Sequence, residues 1–269
     1  MNSFIFLYVV YRSFLFAVAL LIVILTPRWF LCRTDRQRTE WMLLVTLFSI
    51  PCSAIGVKVV QALSILRPYK YDLYVYNIDS LFGEPSFWLG RMVMPHPGLM
   101  ALLRVAYGFL FVALLGTFAA ALWLRSLAEA RRVLETFLLN LFLATGIYAI
   151  VPVCGPAYAF PHFPQLPIDG LRAYAMALNA PPNGIPSVHL SSALLVLWFL
   201  RHWWWGKIAG SVFLVLTVMA TLGCGEHYFL DLLCAVPYTA FVVWLTQPAV
   251  RRESVANAGY PVSQSPSPI

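Results

Sequence analysis

Long apolar segments alternate with short polar segments along most of the chain. An α-helix of about 17 to 25 apolar residues can cross a hydrocarbon core that is about 30 Å thick. On that rule the pattern predicts about seven membrane-spanning helices. They cover residues 3–26, 41–63, 98–124, 134–154, 188–205, 207–224 and 227–247. The predicted fold class is therefore all-α: a polytopic membrane helical bundle.

The polar segments divide the chain into three parts. Residues 1–40 form an extra N-terminal transmembrane helix and a basic loop, residues 41–250 the membrane-embedded bundle, and residues 251–269 a tail rich in Pro and Ser. The composition of the tail predicts disorder. Within the bundle, residues 69–97 mix aromatic and acidic side chains, which is typical of an amphipathic segment in the membrane interface. Residues 155–187 are rich in Pro and Gly and predict an irregular cap, either a lid or an ordinary connecting loop.

Composition supports a membrane protein and excludes a soluble domain. Hydrophobic residues make up 61% of the chain and charged residues only 11%, against roughly a quarter in soluble domains. The net charge of +7 comes from Arg and Lys that concentrate in alternate loops, so it indicates topology rather than a nucleic-acid partner. The positive-inside rule then places the N-terminus outside and the C-terminus inside, in a plasma (inner) membrane.

Three ionisable residues are the candidates for chemistry. His227 and Asp231 are four residues apart, so on a helix they share one face. An ionisable pair inside a membrane is costly and indicates function by default. His189 opens the fifth predicted span and His227 the seventh, and both spans start from the same side. We therefore expect one pocket at the outer face that contains both histidines.

This set of residues suits phosphoryl transfer. A neutral histidine can attack phosphorus and form a covalent intermediate, and a carboxylate on its other ring nitrogen fixes the required tautomer. A second histidine can donate a proton to the leaving oxygen. Ser187 and the backbone amides near Gly184 and Val188 can donate hydrogen bonds to the phosphoryl oxygens. A polar structural cluster and a metal site built from the same three residues are the alternatives.

Two short motifs resemble the type 2 phosphatidic acid phosphatase family. Pro186-Ser187-Val188-His189 is similar to the family motif Pro-Ser-Gly-His, with Val188 in place of glycine. His227-x3-Asp231 is similar to the end of the motif Ser-Arg-x5-His-x3-Asp. The resemblance implies a six-helix phosphatase-type core, His227 as nucleophile, Asp231 as its orienting carboxylate and His189 as general acid. It implies no metal and no cofactor.

The chain also departs from that family. Thr221, which we predict to be a substrate-binding residue, stands where the third motif has arginine, and no Lys-x6-Arg-Pro precedes His189. The inositolphosphorylceramide synthase and sphingomyelin synthase branch is similar in these departures. Glu226 before the histidine resembles the sphingomyelin synthase version. Arg172 in the cap, or Arg104 in the third span, can supply the missing positive charge.

The sequence thus predicts an integral membrane lipid phosphatase or phospho-head-group transferase with its active site on the outer face. The expected partners are a phospholipid or lipid-phosphate substrate and, for a transferase, a lipid alcohol acceptor. The alternative function is a non-catalytic protein that binds or transports lipid phosphates.

Overall fold

The fold is almost wholly helical in the part of the chain that the computed structural model describes, residues 35–167 and 171–247 with residues 15, 18, 19, 21–23, 25–27 and 29. The helices are α1 (Arg36–Leu66), α2 (Asp72–Asp79), α3 (Pro85–Val93), α4 (Pro97–Gly108), α5 (Leu110–Leu124), α6 (Leu127–Ile150), α7 (Pro156–Ala159), α8 (Val188–Leu200), α9 (Trp204–Gly223) and α10 (Phe229–Leu245). A 3-10 turn (Ser80–Phe82) follows α2. Strands β1 (Tyr69–Lys70) and β2 (Met176–Ala177) pair antiparallel.

The helices confirm membrane-compatible segments but not the count of seven spans. Among the described residues, α1, α6 and α9 are long and apolar enough to cross a membrane, and α4 with α5 makes a fourth if the bent pair is one span. The predicted span 98–124 is broken, because α4 and α5 meet at an angle of 47°. Apolar helices α8 and α10 have only 13 and 17 residues.

The two ends of the chain cannot be compared in the same way. Most of the predicted first span, 3–26, and the basic loop that follows it lie outside the described residues. The predicted disordered tail, 251–269, lies outside them entirely.

Helix α8 is central to the bundle and packs against α5, α6, α9 and α10. Its sequence is apolar around most of its circumference, which is typical of a helix buried on all sides. Two serines that follow one another on α8 hydrogen-bond with Asn140 of α6. Ser191 donates to its side-chain oxygen at 2.9 Å, and Ser192 accepts from its side-chain nitrogen at 3.1 Å. These bonds fix α8 in register against α6, and with it the candidate residues at its N-terminus.

The two long connections pack on one another. Strand β1, in the segment 69–97, pairs with β2 in the cap segment 155–187. The aromatic rings of Tyr76, Phe87 and Phe160 form one buried cluster that joins these segments. Tyr228, next to His227 in sequence, is fully buried in the same cluster. The two segments therefore form one layer that packs against the chain around His227 and Tyr228.

Candidate active site

His227 and Asp231 are in contact, but they do not lie on one helix. The ring atom Nδ1 of His227 is 3.2 Å from Oδ2 of Asp231, and both side chains are buried. Helix α10 begins only at Phe229, with Tyr228 as its N-cap. The expectation of a shared helical face is therefore wrong. Asp231 instead turns back towards the start of the helix, where its Oδ2 accepts the amide of Tyr228 at 2.9 Å.

The loop 224–228, between α9 and α10, holds His227 by its backbone. The carbonyl oxygen of Thr221 accepts the amides of Glu226 at 3.0 Å and of His227 at 3.2 Å. The hydroxyl of Thr221 donates to Val218 inside α9. Thr221, predicted as a substrate-binding residue, thus supports the loop 224–228, the candidate catalytic loop, through its carbonyl. Its side chain is buried and is used within its own helix.

His189 is the second residue of α8 and faces the same site. Its ring lies 6.2 Å from the ring of His227, centroid to centroid, as the spacing of the predicted spans indicates. The ring of Tyr107 on α4 stacks on His189 at a centroid distance of 3.7 Å. The two histidines are therefore close enough to serve one phosphoryl group, and the stacked tyrosine restricts the orientation of the His189 ring.

Ser187 caps the helix that carries His189. Its hydroxyl accepts the amide of Leu190 at 3.3 Å, as an N-cap serine does. Its own amide donates to the backbone carbonyl of Asp231 at 3.2 Å. These bonds tie the N-terminus of α8 to the first turn of α10, so the cap also joins the two halves of the site.

The other predicted binding residues differ in their places. The amide of Gly184 donates to the carbonyl of Val153 at 2.7 Å, so that amide is used within the protein. Val188 starts α8 and is partly exposed. Arg172 is exposed in the cap, and no contact with either histidine is recorded for it within the described part of the chain. A role in phosphate binding stays a prediction for all three.

Glu226, before the candidate nucleophile, is part of a polar group on the α4 side of the loop. It accepts a hydrogen bond from the hydroxyl of Tyr158 at 2.9 Å. Burial raises the pKa of Glu226, while that hydrogen bond and the nearby side chains of His227 and Arg104 oppose the rise. Arg104 is thus near enough to the catalytic loop to act on it electrostatically.

Sequence reasoning missed two buried carboxylates, Asp72 and Asp79 of α2. Both are fully buried, and burial raises the pKa of each to about 6. They are seven residues apart, two helical turns, which places them on one face of α2. That spacing is the sequence signal that could have identified the two carboxylates as a pair. Nothing in the sequence, however, connects α2 with residues near position 230.

The arrangement can carry out nucleophilic chemistry. Nδ1 of His227 is occupied by Asp231, and Nε2 has no hydrogen-bond partner among the described residues. A buried nitrogen without a partner is rare and costly, and such exceptions often mark function. The carboxylate fixes a tautomer with the proton on Nδ1, which leaves the lone pair of Nε2 for attack.

Comparison with known proteins identifies the family of this chain. A family model described as PAP2 superfamily matches residues 74–245, which is more than half of the chain and includes all three candidate catalytic residues. No curated protein and no solved structure gives a match. Members of this superfamily are phosphoesterases or phosphotransferases. The chain therefore belongs to the PAP2 superfamily.

Proposed function

We propose that this protein is an integral membrane lipid phosphatase or phospho-head-group transferase with His227 as the nucleophile. The observation that carries the proposal is the state of the His227 ring: Nδ1 lies against the Asp231 carboxylate, and Nε2 has no partner in the described structure. A merely structural histidine in a buried site has both nitrogens satisfied as a rule. The pairing with a second histidine 6.2 Å away fits a reaction that needs a nucleophile and a proton donor.

The proposed reaction has two steps. In the first, the lone pair of His227 Nε2 forms a bond to phosphorus, and the bond from phosphorus to the leaving oxygen breaks. Protonated His189 donates its proton to that oxygen, and Asp231 stabilises the positive charge that develops on the His227 ring. In the second, His189 removes a proton from water or an alcohol, whose oxygen attacks phosphorus and breaks the phosphorus–nitrogen bond. Water releases inorganic phosphate, and a lipid alcohol receives the phospho-head-group.

Two arginines support binding of the phosphate group, in place of the cations that the sequence lacks at their usual positions. Arg104 lines a cavity of about 460 Å³ together with Met94, Pro97, Met100, Ala101 and Phe163. It also lies one turn before Tyr107, the residue stacked on His189. Arg91 of α3 lies one turn before Met94, and its Nε and Nη2 atoms are buried without a hydrogen-bond partner in the described part of the chain. An anionic substrate satisfies such a guanidinium group, because arginine binds phosphate oxygens through its planar set of donors.

The surroundings of this cavity support a lipid substrate. Its lining is apolar apart from Arg104, and three or four helices of the described structure can cross a membrane. The distribution of Arg and Lys supports a site on the outer face of a plasma (inner) membrane, with the N-terminus outside. The missing motif arginine and Glu226 favour the inositolphosphorylceramide synthase and sphingomyelin synthase branch of the superfamily.

The test uses purified full-length protein in detergent micelles. It is given phosphatidic acid, a polyprenyl pyrophosphate, or a phospholipid with ceramide or diacylglycerol, and both released phosphate and transferred head group are measured. We expect turnover of at least one substrate by the wild type and none by His227→Ala or His189→Ala. The exposed histidines His96 and His162 provide matched controls, and their alanine variants are expected to keep full activity.

Three outcomes separate the alternatives. Released phosphate without transfer identifies a phosphatase, and transfer to the lipid alcohol identifies a transferase. Saturable binding of lipid phosphate by the wild type and both histidine variants, with no turnover in any of them, contradicts an enzyme and favours the binding or transport protein.

A further inference from the structure

The segment 72–86 makes three side-chain hydrogen bonds to the residues around the proposed nucleophile. Asp72 binds Tyr228, Asp79 binds Leu230, and Ser86 binds His227. The side chains of Asp72, Asp79 and Ser86 are fully buried. More than 140 residues separate each pair in sequence, so these contacts exist only in the folded protein.

Asp72 joins the cap segment to the catalytic loop. Its carboxylate accepts the amides of Cys154 at 3.1 Å and Gly155 at 2.9 Å, at the end of α6. The same carboxylate accepts the hydroxyl of Tyr228 at 3.2 Å. Charge-assisted hydrogen bonds of this kind are about twice as strong as neutral ones. The position of Tyr228, and with it the chain direction after His227, is thereby linked to the end of α6.

Asp79 acts at the first turn of α10. Its Oδ1 accepts the amide of Leu230 at 2.9 Å. Leu230 lies in that first turn, where backbone amides have no partner within the helix. A carboxylate at a helix N-terminus also interacts favourably with the helix dipole. Asp79 therefore holds the N-terminus of α10 at Leu230, the residue that directly precedes Asp231.

Ser86 acts on the nucleophile itself. Its hydroxyl donates to the backbone carbonyl of His227 at 2.9 Å. Together with the two amides that Thr221 accepts on the other side of the loop, this bond restricts rotation of the peptide that follows His227.

We propose that Asp72, Asp79 and Ser86 are positioning residues, which form a brace that holds the His227 ring in the orientation for in-line attack on phosphorus. This inference rests on the proposed function. None of the three needs to contact the substrate, because each acts through residue 227, 228 or 230. The brace explains why the segment between α1 and α4 is fixed to the catalytic loop by polar side chains. A segment that merely lies in the membrane interface does not need these bonds.

The kinetic consequence is specific. Displacement of a reacting group by about 1 Å can lower a rate by about a hundredfold without loss of the group itself. The proposed substrate contacts are Arg91, Arg104 and the cavity, and the lining of that cavity includes none of the three brace residues. Loss of the brace is therefore expected to lower kcat and to leave KM nearly unchanged.

The experiment compares variants of the full-length protein in the turnover assay, normalised to folded protein. Tyr228→Phe removes only the hydroxyl that Asp72 accepts, Asp79→Ala removes the acceptor for Leu230, and Asp79→Asn keeps an acceptor oxygen. Ser80→Ala is the matched control, because Ser80 lies in the same segment and its hydroxyl donates to Asn77. Hydrogen exchange of the amides in residues 224–231 is measured on every variant.

We expect kcat to fall about tenfold or more in Asp79→Ala and Tyr228→Phe, with KM within about twofold of the wild type. Asp79→Asn is expected to recover most of that loss, and Ser80→Ala to behave as the wild type. Amide exchange in 224–231 rises in the two impaired variants alone. If Asp79→Ala does not fold, Tyr228→Phe and Ser86→Ala decide the question.

Wild-type kcat in Tyr228→Phe and Asp79→Ala, or a loss confined to KM, overturns the brace while the proposed function stands. A wild type that turns over none of the substrates refutes the proposed function, and the brace as a catalytic device with it. Faster amide exchange in Asp79→Ala and Tyr228→Phe then shows that the three residues stabilise the loop without a role in catalysis.

Discussion

The Oδ2 atom of Asp231 lies 3.2 Å from Nδ1 of His227 and 2.9 Å from the amide of Tyr228. One carboxylate oxygen therefore does two tasks, because it caps the first turn of α10 and orients the imidazole of the preceding loop. The other oxygen, Oδ1, is buried and has no partner among the described residues. The start of the helix and the geometry of the proposed nucleophile are thus set by the same side chain.

Asp231→Asn separates the shape of this carboxylate from its charge. The amide oxygen can still accept from Tyr228, but a neutral side chain no longer stabilises a positively charged His227 ring or enforces one tautomer. We expect kcat to fall by roughly a hundredfold or more, with the melting temperature in detergent lowered only slightly. Steady-state kinetics and a thermal unfolding assay check this. A variant that retains a third or more of the wild-type kcat contradicts the assigned role.

Arg91 and Arg104 are predicted to bind the phosphate group, and their glutamine variants test this. Loss of a charged hydrogen-bond partner from a phosphate typically costs about 1.5 to 3 kcal/mol, which corresponds to a loss of roughly ten- to a hundredfold in kcat/KM. Arg104→Lys keeps the charge but loses the planar set of donors, so we expect partial activity.

Arg172→Gln tests the other cation that the sequence offers for the phosphate group. Arg172 is exposed in the cap, and removal of its charge is expected to change kcat/KM less than about threefold. The reverse ranking, with Arg172→Gln inactive and both Arg91→Gln and Arg104→Gln fully active, assigns the phosphate to the cap instead.

The pH dependence of stability is expected to report on Asp72. Burial raises the pKa of its carboxyl from 3.8 to about 6, so the folded state holds this proton more tightly than the unfolded state. Its contribution to stability is fully present below about pH 4 and is lost as the pH rises through about 6. The charged and titratable groups that interact with it are Lys70, Cys154, Tyr228 and Asp231.

Asp72→Asn removes this titration and keeps an acceptor oxygen for its three donors. We expect the melting temperature of Asp72→Asn relative to the wild type to rise between pH 4.5 and pH 7.5. Thermal unfolding at a series of pH values in the same detergent measures the difference. A difference that stays constant across this range, or falls, shows that Asp72 is ionised in the folded state with an ordinary or lowered pKa.

Sequence alone selected the three candidate catalytic residues, which the structure brings close together, because motif spacing and span counting are local or nearly local signals. The predicted pair of spans between His189 and His227 brings the two residues to the same end of the bundle, and the structure places their rings 6.2 Å apart. The start of α10 at Phe229 was not predictable from periodicity, since the residues before it are compatible with a helix. It depends on how Asp231 turns back to the amide of Tyr228.

The remaining misses depend on long-range packing or on a break within apolar sequence. Residues 98–124 contain no proline and only one charged residue, Arg104, so hydropathy gave no sign of the 47° bend between α4 and α5. Asp72 and Asp79 accept hydrogen bonds from donors more than 80 residues away in sequence, so their structural role is visible only in the folded protein. Thr221 was assigned to the substrate by its place in a motif and Gly184 by its backbone amide near a helix start, whereas both make hydrogen bonds within the protein.

Gly155 offers a last test of how tightly the cap is fitted to the catalytic loop. Its φ is +136°, and an added Cβ would lie 2.3 Å from the carbonyl oxygen of Glu226, the residue before His227. Backbone atoms cannot move aside cheaply, and this conformation is one that L side chains rarely adopt. Gly155→Ala is therefore expected to displace the loop 224–228 and to lower both the melting temperature and kcat.

Gly146→Ala is the matched control, because it makes the same chemical change on α6, where an added Cβ would meet nothing within 4 Å. Alanine is favoured over glycine in a helix by about 1 kcal/mol, so the melting temperature of this variant is expected to stay the same or rise, with kcat unchanged. Opposite effects of the two substitutions identify contact with the Glu226 carbonyl as the cause. Equal stability and activity in Gly155→Ala and Gly146→Ala mean that the cap can move away from the loop without consequence for the site.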